Sequence, residues 1–200
     1  MTAFTHIDQI PLFRYNLIMA DPPWSYESWS EGGNKKNAKM QYDCMSLNDI
    51  KSMPVGHLSS PDAVLWLWAT NPLLDVAFDV LKAWGFHFKT AGHWSKKTKH
   101  GKQAFGTGYI LRCAGEPFLI GTIGKPWTSR SVRSVIEGEV REHSRKPEEA
   151  YRAAENLCGD VPRLDLFSRQ ERAGWDSFGN EVGKFDIEYD GPTEFVGREG

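Results

Sequence analysis

The sequence predicts an α/β domain with a mostly parallel central sheet and helices on both faces. Two observations carry that expectation. The apolar runs YNLIMA (15–20), AVLWLWA (63–69) and RLDLF (163–167) are too short for helices and read as strands buried on both faces. Helical spacing at 71–84 and 147–157 separates them, and strands alternating with helices favour parallel pairing through crossovers. A chain of 200 residues fits one such domain.

The elements follow in order. The strand at 15–20 is cut off by Asp21-Pro22-Pro23. Residues 24–45 are polar and rich in Gly, Asn and Lys, too irregular for an element. Ser46 and Asp49 resemble a capping box and predict a short helix to Lys51. After the strand at 63–69, Asn71-Pro72 read as N-cap and first residue of the best helix. Leu73, Leu74, Ala77, Phe78, Leu81 and Trp84 share one face, and Gly85 stands where a helix-ending glycine belongs. Strands are expected at 86–94, 108–111 and 117–123, and Pro147-Glu148-Glu149 opens a helix to about 157.

Composition narrows the function. No run approaches the roughly eighteen apolar residues of a membrane span, and the N-terminus lacks the pattern of a secretory signal. Cys44, Cys113 and Cys158 form no pair with disulfide or zinc spacing, which suits a reducing, cytoplasmic setting. The six histidines form no metal-binding motif, so no metal is expected. Gly106-x-Gly108 lacks the third glycine of a dinucleotide fingerprint. Net charge is only −2, yet residues 92–146 hold eleven Lys/Arg against four acids, a net of +7. A basic segment in a near-neutral chain is the footprint of a phosphate-binding face. Eight tryptophans suggest a surface for a flat ligand.

Asp21-Pro22-Pro23-Trp24 is the sharpest motif. Two prolines remove backbone donors and fix a rigid bend, leaving a carboxylate and peptide carbonyls beside an indole. Apart from the indole N–H these groups only accept, which suits a ligand that brings donors, above all an exocyclic amine. The bend also follows a strand, where open α/β sheets bind ligands. A stiffened turn with a core tryptophan is the plainer reading of the same residues.

With this tetrapeptide stand Tyr42 and Met45-Ser46, Trp68-Ala69-Thr70-Asn71, Leu81 to Phe86, Trp94-Ser95-Lys96 and Gly106 to Tyr109. Arg112, Glu116, His143 to Glu149, Leu166 to Arg169, Gly174-Trp175 and Gly179-Asn180-Glu181 complete the order. From about residue 15 to 182 the sequence resembles the MT-A70 family, the N6-adenine methyltransferases that include the catalytic subunit of the mRNA enzyme. The resemblance implies a Rossmann-like methyltransferase using S-adenosylmethionine, with a permuted motif order because the cofactor strand must follow Asp21. It makes Asp21 and Pro22 acceptors for the adenine amine, Pro23 the keeper of the bend and Trp24 a wall of the base pocket.

Tyr26, Tyr42 and Trp94 are further candidates for the base, and Lys96, Lys97, Lys99 and Lys102 for phosphates. For the cofactor the resemblance implies Lys146 on the methionine carboxylate. Asp21, Asp165, Arg169, Asn180 and Glu181 stand around the remainder, and the backbone near Ile7 lies at the adenine edge. Glu171-Arg172 departs from the family's His-Asn. The expected domain spans 1–185, with an acidic, flexible tail at 186–200. The expected activity is N6 methylation of a flipped or unpaired adenine in DNA, by a monomer or homodimer of bacterial or phage type, with RNA as the alternative polymer. A non-catalytic nucleic-acid-binding subunit is the alternative from another class, although such partners have a degenerate tetrapeptide and this one is intact.

Overall fold

The computed structural model describes residues 1–24, 45–142, 145–180 and 182–184. Tyr26, Tyr42, Glu181 and the acidic segment 186–200 lie outside the described residues. Eight described strands form one sheet: β1 (Ala3–Phe4), β2 (Tyr15–Ala20), β3 (Ser59–Trp68), β4 (His87–Lys97), β5 (Gly115–Ile123), β6 (Val135–Glu139), β7 (Arg163–Leu166) and β8 (Asp176–Phe178). Their spatial order is β1-β8-β7-β2-β3-β5-β4-β6. All neighbours are parallel except β5, which runs against both β3 and β4. The helices are α1 (Leu47–Ser52), α2 (Val55–Leu58), α3 (Leu74–Ala83) and α4 (Glu148–Cys158). No described helix is long and apolar enough to cross a membrane.

Strand alternation sorts the core into two layers. Ile18, Ala20, Leu65, Leu67, Leu164 and Leu166 face α1, α2 and α3 and pack with Ile50, Val55, Ala77, Val80 and Leu81. Leu17, Met19, Val64, Trp66 and Trp68 face the other way and meet Ala150, Tyr151 and Ala154 of α4. The register places Ile18 between Leu65 and Leu164, so β2 is covered on both sides and on both edges. Each fully buried aliphatic side chain here contributes about 1.5–3 kcal/mol relative to exposure.

The sequence-based elements mostly stand. Ser46 caps α1 by accepting the Asp49 N–H at 3.1 Å. The turn before α3 is a 3₁₀ segment, Asn71–Leu73, entered from Thr70, so the α-helix itself starts two residues later than expected. Proline at the start favours this tight turn because its missing N–H would be unpaired in any first turn. At the far end Gly85 takes φ 83°, and the N–H groups of Gly85 and Phe86 satisfy the carbonyls of Lys82 and Leu81.

Three expectations are corrected. Residues 108–111 form no strand and bend at 109–111, because the segment turns out of the sheet between β4 and β5. β6 was not anticipated: VIEGE buries only Ile136 and Gly138, and its three outward residues hide an apolar pattern. β1, β8 and the single turn α2 are too short to carry a periodic signal.

Gly92 marks the closest approach within the sheet. A Cβ there would overlap the Phe118 ring and crowd the Ser134 carbonyl, while Phe118 itself stacks on Trp66 with centroids 4.1 Å apart. Gly92→Ala is therefore expected to cost about 1–3 kcal/mol by overpacking. The check is a lowered urea midpoint at unchanged slope.

Candidate active site

Parallel strands end on one edge of the sheet, and this sheet collects its functional side chains there. Asp21 follows β2, Trp68 ends β3, Arg169 follows β7, and Asn180 follows β8. The reversed β5 brings its first residues, including Glu116, to the same edge, and β4 brings its last, Trp94 to Lys97. β2 has β3 on one side and β7 on the other, the point at which open α/β sheets form a ligand crevice.

The Asp-Pro-Pro-Trp bend is held by its own backbone. The Asp21 N–H donates to the Leu166 carbonyl at 3.3 Å, and the Trp24 N–H donates to the Pro22 carbonyl at 2.8 Å. That uses one lone pair of the Pro22 oxygen and leaves the second. The Trp24 indole donates to the Trp68 carbonyl at 3.2 Å and is buried in the layer beneath α1 to α3. In this structure Trp24 locks the bend to the end of β3.

Lys146, just before α4, is the centre of the site. Its ammonium is 2.9 Å from Asp21 Oδ2 and 2.9 Å from Glu116 Oε2, above the Trp68 ring. The Lys146 side chain is only 8% exposed, whereas the carboxylates keep more access, 24% for Asp21 and 20% for Glu116. Glu116 also pairs with Lys96, whose ammonium lies over the Trp94 ring. Burial pushes the Asp21 carboxyl above the usual aspartate range, aided by Glu116 and opposed by Lys146. Burial also works against the Glu116 carboxylate, but Lys146 and Lys96 outweigh it and hold that group down at about 2. Burial alone would lower Lys146; its two carboxylates raise it and keep it charged.

A second network braces this centre. Glu148, in the first turn of α4, receives Arg141 at 2.8 Å and both terminal nitrogens of Arg172. Arg141 also donates to the Lys146 carbonyl at 2.8 Å, and Arg172 lies over the Tyr151 ring at 3.7 Å. Tyr151 and Ser168 both donate to Asp165 Oδ2, at 2.9 and 2.8 Å. Beyond β7 the chain turns sharply: Phe167 takes φ 65°, unusual for a bulky residue, and the Ser168 N–H reaches the Phe178 carbonyl. Gly179 fits against this turn because a Cβ would overlap the Ser168 carbonyl.

The candidate residues fall into different settings. The Asp165 carboxylate is buried and accepts Tyr151 and Ser168 on one oxygen, Oδ2, which ties it to the turn that leads to Arg169. Trp94 is buried too, its indole donating to the Gly138 carbonyl at 3.0 Å. Lys96 and Lys97 are paired with Glu116 and Glu137, acids distant in sequence but adjacent in the sheet. Lys99 and Lys102 remain exposed. Arg169 is half-buried, and its charge favours the Asp21 carboxylate. Asn180 is exposed on the same edge, and Ile7 begins a 3₁₀ turn shortly after β1. Glu116 had no role assigned from sequence. An acid at the mouth of an otherwise apolar strand, GEPFLIG, was the available signal.

The family model described as MT-A70 matches residues 15–181, the span from β2 to just beyond β8. The chain belongs to the MT-A70 family. It is 27% identical to the type II methyltransferase M.MunI of Mycoplasma sp over 93% of this chain and 84% of that protein. It is 30% identical to a probable N(6)-adenosine-methyltransferase MT-A70-like protein of Oryza sativa subsp. japonica, over 86% of this chain but 23% of the rice protein. Human METTL3, an N(6)-adenosine-methyltransferase catalytic subunit, is 25% identical over 88% of this chain and 30% of its own length. Within an MT-A70 chain, the Lys146 cluster lies on the Asp-Pro-Pro-Trp motif itself.

Asp165 gives the site a measurable signature. Burial, against the two hydroxyl donors, raises its carboxyl to about 6, above an unfolded value of about 3.9. The folded state then keeps a proton that the unfolded chain releases, so stability falls as pH rises from about 4 to about 6. The contribution is about 3 kcal/mol, and Asp165→Asn removes it. Urea unfolding at pH 4.5 and pH 7 should show a smaller loss of stability in the variant than in the parent.

Proposed function

We propose that this protein transfers a methyl group from S-adenosylmethionine to N6 of adenine in DNA. The observation that supports it is the Asp21 carboxylate at the end of β2, anchored through Oδ2 by Lys146, beside the carbonyl of Pro22. Asp21 Oδ1 and the second lone pair of the Pro22 oxygen are two acceptors on one rigid bend. An aromatic amine is a weak nucleophile because its lone pair is delocalised into the ring. Acceptors on both of its hydrogens draw the nitrogen toward sp³ and localise that pair, and Asp21 Oδ1 is placed to take the proton released as the new bond forms. Positioning supplies the rest.

The donors on this edge suit the cofactor. Lys146 has three N–H bonds, of which two go to Asp21 and Glu116 and the third is left for a carboxylate. In this reading Arg169, the exposed amide of Asn180 and the backbone at Ile7 take the ribose and the adenine. When bound, S-adenosylmethionine supplies a methyl already activated on a sulfonium. DNA is favoured over RNA because the similarity runs through most of a type II methyltransferase. It takes up under a third of the rice and human adenosine methyltransferases named above. The deciding experiment supplies labelled cofactor with duplex DNA, single-stranded DNA and RNA, then digests the products to nucleosides. N6-methyldeoxyadenosine is expected; N6-methyladenosine from the RNA arm alone would transfer the reading to RNA.

Two variants separate the halves of the site. Asp21→Asn keeps an oxygen but loses the charge, and should abolish methylation while leaving cofactor affinity within about a factor of three. Lys146→Ala should weaken cofactor binding by about 1.5–3 kcal/mol in calorimetry, the value of a charge-assisted bond.

The acceptor must be ionised, and burial raises the Asp21 carboxyl. The acid limb of kcat/KM is therefore expected above the ordinary aspartate value of about 3.9, with activity lost as pH falls through it. Phosphate contact should rest on Lys99 and Lys102, the exposed pair. Replacing both with alanine should flatten the slope of log affinity against log salt by roughly 0.9 per lost contact on duplex. The same change at Lys97, which is paired with Glu137, should alter the slope less.

A further inference from the structure

The loop joining β4 to β5 carries side chains that the transfer chemistry does not use. Ile110 is 95% exposed and Leu111 81%, and Phe105 also faces solvent. The loop is nevertheless well built. The Gly106 N–H donates to the Cys113 carbonyl at 2.8 Å, closing the segment at its base. The Gln103 amide donates to the carbonyls of Lys96 and Ala114, each at 2.8 Å. The Asn71 amide reaches Cys113 Sγ and the Gly115 carbonyl, tying the base to the end of β3. Inside the loop the Leu111 carbonyl folds so closely on Gly108 that a Cβ there would overlap it. Gly106-x-Gly108, which makes no dinucleotide fingerprint, thus builds a tight turn that presents two aliphatic side chains outward.

The surroundings indicate what those side chains meet. Arg112 is exposed directly beside them in the chain, Lys99 and Lys102 are exposed on the turn that precedes this one, and no acid occurs between Gly92 and Gly115. A stable protein interface buries roughly 800 Å² per partner, more than the exposed Phe105, Tyr109, Ile110 and Leu111 of this single loop supply. A small apolar point bordered by cations instead matches a polyanion that offers a gap between flat apolar rings. The base of the loop is next to the reacting edge: Gly115 precedes Glu116, which shares Lys146 with Asp21. An adenine extruded to Asp21 leaves such a gap in its duplex.

Resting on the adenine reading above, we infer that Ile110 and Leu111 form a wedge that enters the duplex stack where the adenine has left. Lys99, Lys102 and Arg112 hold the flanking phosphates. The wedge is needed to open a duplex and has no task on a strand that is already unpaired.

The test uses the full chain carrying Ile110→Ser and Leu111→Ser, substitutions at exposed positions that should leave the thermal midpoint unchanged. Methylation is measured with labelled S-adenosylmethionine on plasmid DNA lacking N6-methyladenine, native and heat-denatured. The expected result is a loss of at least tenfold on native DNA and less than twofold on denatured DNA. Ile110→Leu with Leu111→Ile should restore the native rate. Equal losses on both substrates, or no loss on native DNA, would overturn the wedge. A parent dimer that the serine variant dissociates during size exclusion would assign the patch to a second copy of the chain and overturn it too. A parent active on denatured DNA or RNA but not on native duplex removes the wedge and leaves the N6 chemistry standing. If the parent forms no N6-methyladenine on any polymer, the adenine reading itself fails.

Discussion

One ammonium, that of Lys146, holds the candidate site together. It is buried between carboxylates that arrive from β2 and β5, and it stands at the start of α4. Removing a buried charge from water is costly, and only close partners of opposite sign offset that cost. The Lys146 cluster therefore requires β2, β5 and the entry to α4 to meet at one point on the sheet edge. The same requirement orders the carboxylates: Glu116, with two lysines, stays ionised to low pH, while Asp21 shares one and titrates higher.

The second network extends that order from α4 to the turn after β7. Glu148 lies two residues beyond Lys146 and is clamped by Arg141 and Arg172, so the first turn of α4 is fixed from both directions. Arg172 covers Tyr151, Tyr151 bonds Asp165, and Asp165 bonds Ser168 at the turn that presents Arg169. Charged groups of α4 and of the turn after β7 thereby brace one another across the end of the sheet. The departure from the family pattern at Glu171-Arg172 fits this, since Arg172 points its guanidinium into the brace.

The basic segment also divides by position. Along the chain, residues 96–102 look uniformly unneutralised. In the sheet, the pairing of β4 with β5 and β6 sets Lys96 beside Glu116 and Lys97 beside Glu137. Lys99 and Lys102, on the turn beyond β4, stay exposed, as do Arg112, Lys125, Arg130 and Arg133 further along the basic segment. A linear charge count overstates the exposed positive charge at the end of β4.

The sequence by itself determined the central strands, the two principal helices and the Asp-Pro-Pro-Trp bend. Each of these is a local property: an uninterrupted apolar run such as YNLIMA, helical spacing in 147–157, two prolines that remove donors. It also reached Lys146 and Arg169 through resemblance. Tertiary structure alone decided the partners. Glu116 lies ninety-five residues from Asp21 in the chain, and Asp165 turns inward because alternation in β7 puts it on the face covered by Tyr151. The reversed direction of β5 and the edge strand β6 were likewise settled by pairing across the sheet, where hydrogen bonds and side-chain neighbours are non-local. The lysine partners then set the order in which the carboxyls titrate, because burial raises both Asp21 and Glu116 and only Glu116 has two lysines to offset it.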